Sequence, residues 1–260
     1  MIARMKLSFD ASPSPIAQET LRFFTARMET VPEEQADVVV VLGGDGHALK
    51  ALHRLQGRGK PVYALRRTNS VGFLCNEYAP ENLLERLAQA QTVNLHAIRV
   101  EYETSSGVTD QALALNEVTL LRETPQAAKM NVSVDGIERL SRYSGDGILV
   151  STPAGSTAYN HSAGGPIMPL DSKTLIMTSI SGFRPRRWSY AVLPQSALIE
   201  IQIIETEKRP VRLEAGLHMI SRVASVRMTL DQDTNFPLLF DPEQPLSERI
   251  IREQFMSQCC

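Results

Sequence analysis

The chain has 260 residues, 43% hydrophobic and 22% charged, and its 27 basic and 29 acidic side chains leave a formal charge of −2. That balance supports one large or two small globular units with real cores, and it removes any electrostatic case for nucleic acid or an anionic membrane as partner. Cys75, Cys259 and Cys260 fit neither a zinc spacing nor a disulfide framework, no apolar signal region opens the chain, and no run approaches the roughly 18 apolar residues of a membrane span; a soluble protein of the cytoplasm is expected.

The first hundred residues alternate between strand and helix patterns. "MKLSF" reads as a strand, and the helix after it has Ser14 as N-cap and Pro15 at its first position. "ADVVVVL" is a buried strand. "HALKALHRL" carries Ala48, Leu49, Leu52 and Leu55 at helical spacing. "PVYAL" is a further strand, and "APENLLERLAQA" a helix opened by Pro80. Such alternation predicts a parallel sheet covered by helices over residues 1–97. From about Leu95 the texture becomes β-rich: short strand patterns such as "AIRVEYET", "QALALNEVTLLR", "AKMNVSVDG", "ALIEIQII" and "VASVRMTL" follow one another with turns between them, predicting a second domain over 98–240. A last helix at about 246–256 is expected to return to the first domain.

Three segments carry chemistry. The first is Gly43-Gly44-Asp45-Gly46, between a buried strand and a helix. Glycines there let backbone amides approach a phosphate, and a helix N-terminus favours an anion. Neither familiar phosphate signature is complete: Leu49 stands where a Rossmann fingerprint needs its third glycine, and no Gly-Lys-Ser/Thr follows. Asp45 among such amides either faces a hydroxyl whose proton it accepts or orients, or caps the helix. The second segment, "SGDGILVSTPAGSTAYNHSAGGPIMP", combines five glycines, small hydroxyls and the aromatic Tyr159. It suits a nucleotide, or else a pair of tight turns. In the third, Asn116 and Glu117 interrupt an apolar strand, as ligand contacts or as a cross-strand polar pair at a sheet edge.

Together these motifs resemble the NAD kinase family: Gly-Gly-Asp-Gly at 43–46, Asn-Glu at 116–117, Gly-Asp-Gly at 145–147, then Ser-Thr-Pro-x-Gly-Ser-Thr-Ala-Tyr at 151–159, in order and at compatible spacing. The resemblance covers most of residues 37–240. It implies an N-terminal Rossmann-like α/β domain and a C-terminal β-sandwich-like domain. The implied activity is transfer of the γ-phosphoryl of ATP, or of another phosphate donor, to the 2′-hydroxyl of the adenosine ribose of NAD. Asp45 is then the proton acceptor, with Gly43, Gly44 and Gly46 holding phosphates. NAD contacts are implied for Asp45, Gly46, Phe73, Asn116, Glu117, Ser144, Asp146, Ala154, Thr157, Ala158, Tyr159, Asn160, His161 and Ser162. A divalent cation, Mg²⁺ in the usual case, would arrive with ATP; no metal-ligand set is expected, and His47 and His53 are placed on a solvated helix face. NAD and ATP are the expected small-molecule partners, with a homodimer or homotetramer as the assembly.

The chain departs from the family at three places. His47 replaces a frequent Thr, "RRTN" stands where a Gly-x-Asn turn is expected, and Glu214 in "LEAGLHM" replaces an Asp. Arg184, Arg186 and Arg187 in "FRPRRW" form a solvated basic turn or grip phosphates. A lipid or diacylglycerol kinase of the wider superfamily and a non-catalytic dinucleotide sensor are the competing readings.

Overall fold

A computed structural model describes residues 5–66, 72–243 and 245–256. The chain forms two compact units, one from the residues up to Leu95 together with Thr234–Arg252, the other from His96–Asp233. The division thus falls at 95/96 and 233/234, and residues 234–240, expected in the second domain, belong to the first unit.

The first unit is a parallel sheet. β1 (Leu7–Ala11) is followed by α1 (Pro15–Thr25), whose N-cap Ser14 accepts from the Ala17 amide and whose first position is Pro15. Next come β2 (Val38–Leu42), α2 (Asp45–Arg54), β3 (Val62–Arg66), the two-residue β4 (Asn76–Glu77) and α3 (Leu83–Gln89). β2 lies between β1 and β3, with Leu7 opposite Val38 and Val39 opposite Val62. All five of its residues are buried, as a strand covered on both faces requires. The end of β16 (Val223–Phe240) adds a further parallel strand, Leu238 opposite Val62. α3 begins at Leu83, not at Pro80. Asn82, left-handed at φ 62°, turns the chain first, a conformation Asn tolerates, and the buried Leu83 and Leu87 then share one helix face. α5 (Leu246–Met256) follows, and its residues 246–252 count with this unit.

The second unit is a β-sandwich. Its strands are β5 (Gln91–Thr104), β6 (Thr109–Ala114), β7 (Glu117–Arg122), β8 (Ala128–Val134), β9 (Ile137–Gly145), β10 (Gly147–Ser151), β11 (Thr174–Ile180), β12 (Tyr190–Pro194), β13 (Ile199–Ile203), β14 (Val211–Ala215), β15 (His218–Ile220) and the first part of β16. One sheet has the order β9-β8-β13-β16-β5-β6, the other β12-β11-β10-β7-β14-β15. Alternate residues turn inward: Met130, Val132, Ile199 and Ile201 from one sheet meet Val118, Leu120, Ile148, Val150 and Leu213 from the other. This period of two is the packing rule for facing sheets. β16 outruns the expected 223–230 because Asp231, Gln232, Asp233 and Thr234 break the apolar pattern without breaking the pairing. The edge strand β12 alternates too, with Ala191 and Leu193 packed against the core and Tyr190 and Val192 exposed, while β15 is only three residues long.

Candidate active site

In the first unit the Gly-Gly-Asp-Gly turn lies at the C-terminal end of β2, the edge at which open α/β sheets take ligands. Gly43 closes the strand by donating to Leu65 O at 3.1 Å. Gly44 is the N-cap of α2, and its carbonyl accepts from His47 N and Ala48 N. Asp45 is therefore the first residue of the helix and not its cap. Its carboxylate is held from outside the helix: Oδ2 accepts from the Phe73 amide at 2.6 Å and Oδ1 from the Leu74 amide at 3.1 Å. Gly72 allows that approach, since a Cβ there would stand 2.7 Å from Oδ1. Gly44 and Gly46 are exposed, and a Cβ on either would meet only open space, so room remains above the turn for a ligand.

Residues 72–76 are fastened on their other side too. Arg249 of α5 donates through Nη1 to Cys75 O at 2.5 Å and to Phe73 O at 3.4 Å. The buried Asn76 donates to Ala64 O and Leu239 O and accepts from Asp241 N. Asp241 accepts from Tyr63 Oη at 2.6 Å and pairs with Arg86 at 2.5 Å. Burial, then that carboxylate, pushes the Tyr63 hydroxyl above its ordinary range, and burial pushes the Cys75 thiol up likewise. A cavity of about 270 Å³ opens beside Gly43 and Gly44, lined by Ser12, Ser14, Thr20 and Tyr78 among others. Leu74, Arg249, Ser12, Thr20 and Tyr78 belong to no motif in the sequence, and Ser14 shows there only as a helix cap. The position of Ser12, directly after β1, was the available signal.

His47 and His53 are not on a solvated face. His47 Nε2 lies 3.0 Å from Asp10 Oδ1, with Arg54 2.7 Å from the other oxygen of Asp10, and His53 meets the Phe236 ring edge-on at 6.1 Å. The expected departure at "RRTN" lies beyond Arg66 outside the described residues, as do Cys259 and Cys260.

In the second unit the backbone between β6 and β7 receives the Ser-Thr-Pro-x-Gly turn. Asn116 O accepts from Thr152 N at 2.9 Å and Ser151 Oγ at 3.2 Å, while Thr152 Oγ1 bonds Leu115 O. A Cβ on Gly155 would stand 2.2 Å from Asn116 O, so only glycine fits. This contact, together with the pairing of Glu117 with Ser151, sets Asn116 and Glu117 beside the 151–155 turn; Thr157, Ala158, Tyr159, His161 and Ser162 follow that turn in the chain. The short helix α4 (Tyr159–Ser162) presents the Tyr159 ring at 37% exposure. Asn116 Oδ1 and Glu117 Oε2 are buried with no hydrogen-bond partner among the described residues. Burial pushes the Glu117 carboxyl up to about 7. Buried polar atoms are nearly always paired in native structures, so each of these two calls for a partner. Asn160, expected to line the nucleotide, is fully buried and holds the loop instead: Nδ2 donates to Ser156 O and Pro166 O, and Oδ1 accepts from Thr178.

Ser144 and Asp146 do not join this cluster. They stand beyond the opposite end of β10 from Ser151, with Asp146 roughly 17 Å away along the strand at ~3.3 Å per residue. Asp146 accepts from Arg122 Nε at 2.6 Å, and Ser144 pairs with Arg184. Arg184, Arg186 and Arg187 are exposed there. Glu214 accepts from Arg212 at 2.6 Å and from Thr119 at 3.4 Å. Thr119 lies two residues along β7 from Glu117, so Glu214 shares its face of the sheet.

Two family models match the sequence: the ATP-NAD kinase N-terminal domain over residues 3–134 and the ATP-NAD kinase C-terminal domain over 115–231. The chain belongs to the ATP-NAD kinase family. The NAD kinase of Cereibacter sphaeroides is 45% identical over 251 residues, 96% of this chain and 98% of that protein. The NAD kinase of Xylella fastidiosa is 45% identical over 255 residues, 98% of each. Among solved structures, yeast NADH kinase complexed with NADH superposes with a TM-score of 0.77 at 21% identity, covering 98% of this chain and 79% of that one. An NAD kinase from Archaeoglobus fulgidus in complex with ATP gives 0.73 at 24%, covering 96% and 99%. Both share the fold of this ATP-NAD kinase family member, and nothing among the matches supports a lipid kinase or a sensor.

Proposed function

We infer that the chain is an enzyme that phosphorylates NAD, transferring the γ-phosphoryl group of ATP to the 2′-hydroxyl of the adenosine ribose to give NADP and ADP. The observation that carries the assignment of its base is the fixed carboxylate of Asp45, gripped through both oxygens by the Phe73 and Leu74 amides. A carboxylate has about four lone-pair sites, so two amide bonds leave it capacity to accept from a ribose hydroxyl. As the O2′–P bond forms, the bond from phosphorus to the β–γ bridging oxygen breaks and ADP departs with that electron pair. The hydroxyl proton goes to Asp45. Transfer through a loose transition state is mostly a matter of position and charge, which suits a base that is held still.

Asn116, Glu117 and Tyr159 supply the dinucleotide side of this reading: two unpaired acceptors for ligand hydroxyl or amine groups, and an exposed ring for a base or ribose. Gly43, Gly44 and Gly46 hold phosphates against α2. ATP would bring a divalent cation held by its own phosphates, Mg²⁺ by preference, and no group of three or more His, Cys, Asp or Glu side chains among the described residues is arranged to hold a metal. We place the protein in the cytoplasm as a homodimer or homotetramer. The edge strand β12, which leaves Tyr190 and Val192 exposed, supports association, because an open edge is a template for pairing. No helix among the described residues is long and apolar enough to cross a membrane.

The test is NADP formation by purified protein with NAD, ATP and Mg²⁺. Asp45→Asn should lower kcat by about 10²–10⁴-fold while NAD still binds. Unchanged turnover in that variant refutes the base assignment.

A further inference from the structure

Phe73 is held from both sides. Its amide donates to Asp45 Oδ2, and its carbonyl accepts from Arg249 Nη1. The shorter bond of Arg249 goes to Cys75 O, two residues on, and the Leu74 amide between them reaches Asp45 Oδ1. Residues 72–75 are thus a strip of backbone with its N–H groups turned to the carboxylate and two of its carbonyls turned to one guanidinium. The segment has no helical hydrogen bonds of its own, and β4 starts only at Asn76.

Arg249 is suited to hold such a strip. Its guanidinium lies over the buried Phe240 ring, 5.2 Å from the centroid, and Nε and Nη2 are buried without a hydrogen-bond partner among the described residues. Burial, with the charge of Arg66 nearby, lowers its pKa. A cation kept in so unfavourable a place is doing something that an apolar side chain of equal size would not do. The planar fork fixes the direction of Nη1, and no flexible amine reproduces that geometry.

We propose that Arg249 is a positioning residue for Asp45: by holding the carbonyls of Phe73 and Cys75, the C-terminal helix fixes the two amides that aim the catalytic carboxylate. The proposal rests on the reading of Asp45 as the base. Without Arg249 the Cys75 carbonyl loses its ionic partner, the strip turns, and Asp45 follows its amides. A displacement of about 1 Å in a reacting group is enough to lower turnover about 10²-fold.

The experiment is a double-mutant cycle on NADP formation, using Arg249→Gln, Asp45→Asn and the pair, with Arg249→Lys as the conservative variant and circular dichroism to confirm folding. Arg249→Gln is expected to reduce kcat about 10²-fold with little change in KM for NAD or ATP. Arg249→Lys should recover part of that loss, and Arg249→Gln should cost nothing further in the Asp45→Asn background. Equal fold-losses in both backgrounds would overturn the proposal. So would a raised KM for ATP at unchanged kcat, which would mean the guanidinium touches the donor. Hydrogen exchange gives a second readout if the Gln variant folds poorly: the Phe73 and Leu74 amides should exchange faster in Arg249→Lys, and unchanged protection there also overturns it. Absence of NADP formation by the unsubstituted protein would count against the proposed function and leave the exchange measurement as the test of the clamp.

Discussion

Glu117 offers a test of the dinucleotide site that needs no catalysis. Its Oε2 is buried without a hydrogen-bond partner among the described residues, and burial raises its carboxyl from 4.5 to about 7. A rise of that size corresponds to about 3 kcal/mol, at ~1.4 kcal/mol per pH unit. Because the folded value is raised, the contribution is fully present below the unfolded value and is lost as pH climbs through about 7. The unliganded protein should therefore lose stability between roughly pH 4.5 and 7 on account of this side chain and level off above. Glu117→Gln keeps the shape and cannot ionise. It should exceed the parent by less than about 1 kcal/mol at pH 5 and by up to about 3 kcal/mol at pH 8, or several degrees in the melting of this unit at about 2–4 °C per kcal/mol. Thermal melts of both proteins from pH 5 to 8.5, without ligand, read the difference. NAD should narrow it: donors from a ribose or adenine would stabilise the ionised form, so parent affinity for NAD should rise with pH through neutrality and that of the variant should not. Parallel melting profiles for the two proteins across this range would refute the account of Glu117.

Gly72→Ala places a Cβ 2.7 Å from Asp45 Oδ1; the protein should fold and bind NAD while steady-state kcat falls strongly. Gly155→Ala drives a methyl to 2.2 Å from Asn116 O and should destabilise by about 1–3 kcal/mol or more in denaturant titration, with calorimetry showing weakened NAD binding. Arg86→Met leaves Asp241 largely buried without its cation, which should cost about 3–5 kcal/mol in the same titration. A normal urea midpoint in that variant would show that Tyr63 and the Asp241 backbone contacts suffice.

Much of this was legible in the sequence because the signals were local. Val38 to Leu42 is an unbroken apolar run and became the central strand; Ser14-Pro15 started α1 as caps do; the texture change near Leu95 marked the start of the sandwich to within a few residues. The Asn116–Glu117 interruption and the 151–162 loop were legible as separate oddities, and the close approach of Gly155 to Asn116 O sets their backbones side by side. What stayed hidden depends on pairing across long stretches of chain. Nothing in "VGFLCNE" announces that two of its amides face a carboxylate 28 and 29 residues earlier. Nothing in "LSERIIREQF" singles out Arg249, which lies 174 residues from the carbonyl it holds. Asn160 misled for the related reason that a polar side chain in a ligand-like motif can serve the loop's own backbone, and composition does not separate the two uses.

The His47 departure becomes intelligible on the same ground. A residue two positions after Asp45 on α2 cannot share the side of the helix that Asp45 occupies, since neighbours along one face lie three or four apart. His47 turns instead to β1, where Asp10 receives both it and Arg54 from seven positions further along the same helix. Two links from one carboxylate fix how α2 lies against β1, and Gly43 has room for no side chain because His47 fills that space at 2.9 Å. The imidazole thus packs against Gly43 and reaches Asp10. His47 anchors the helix to β1 and leaves the Asp45 carboxylate free to accept from the amides of residues 73 and 74.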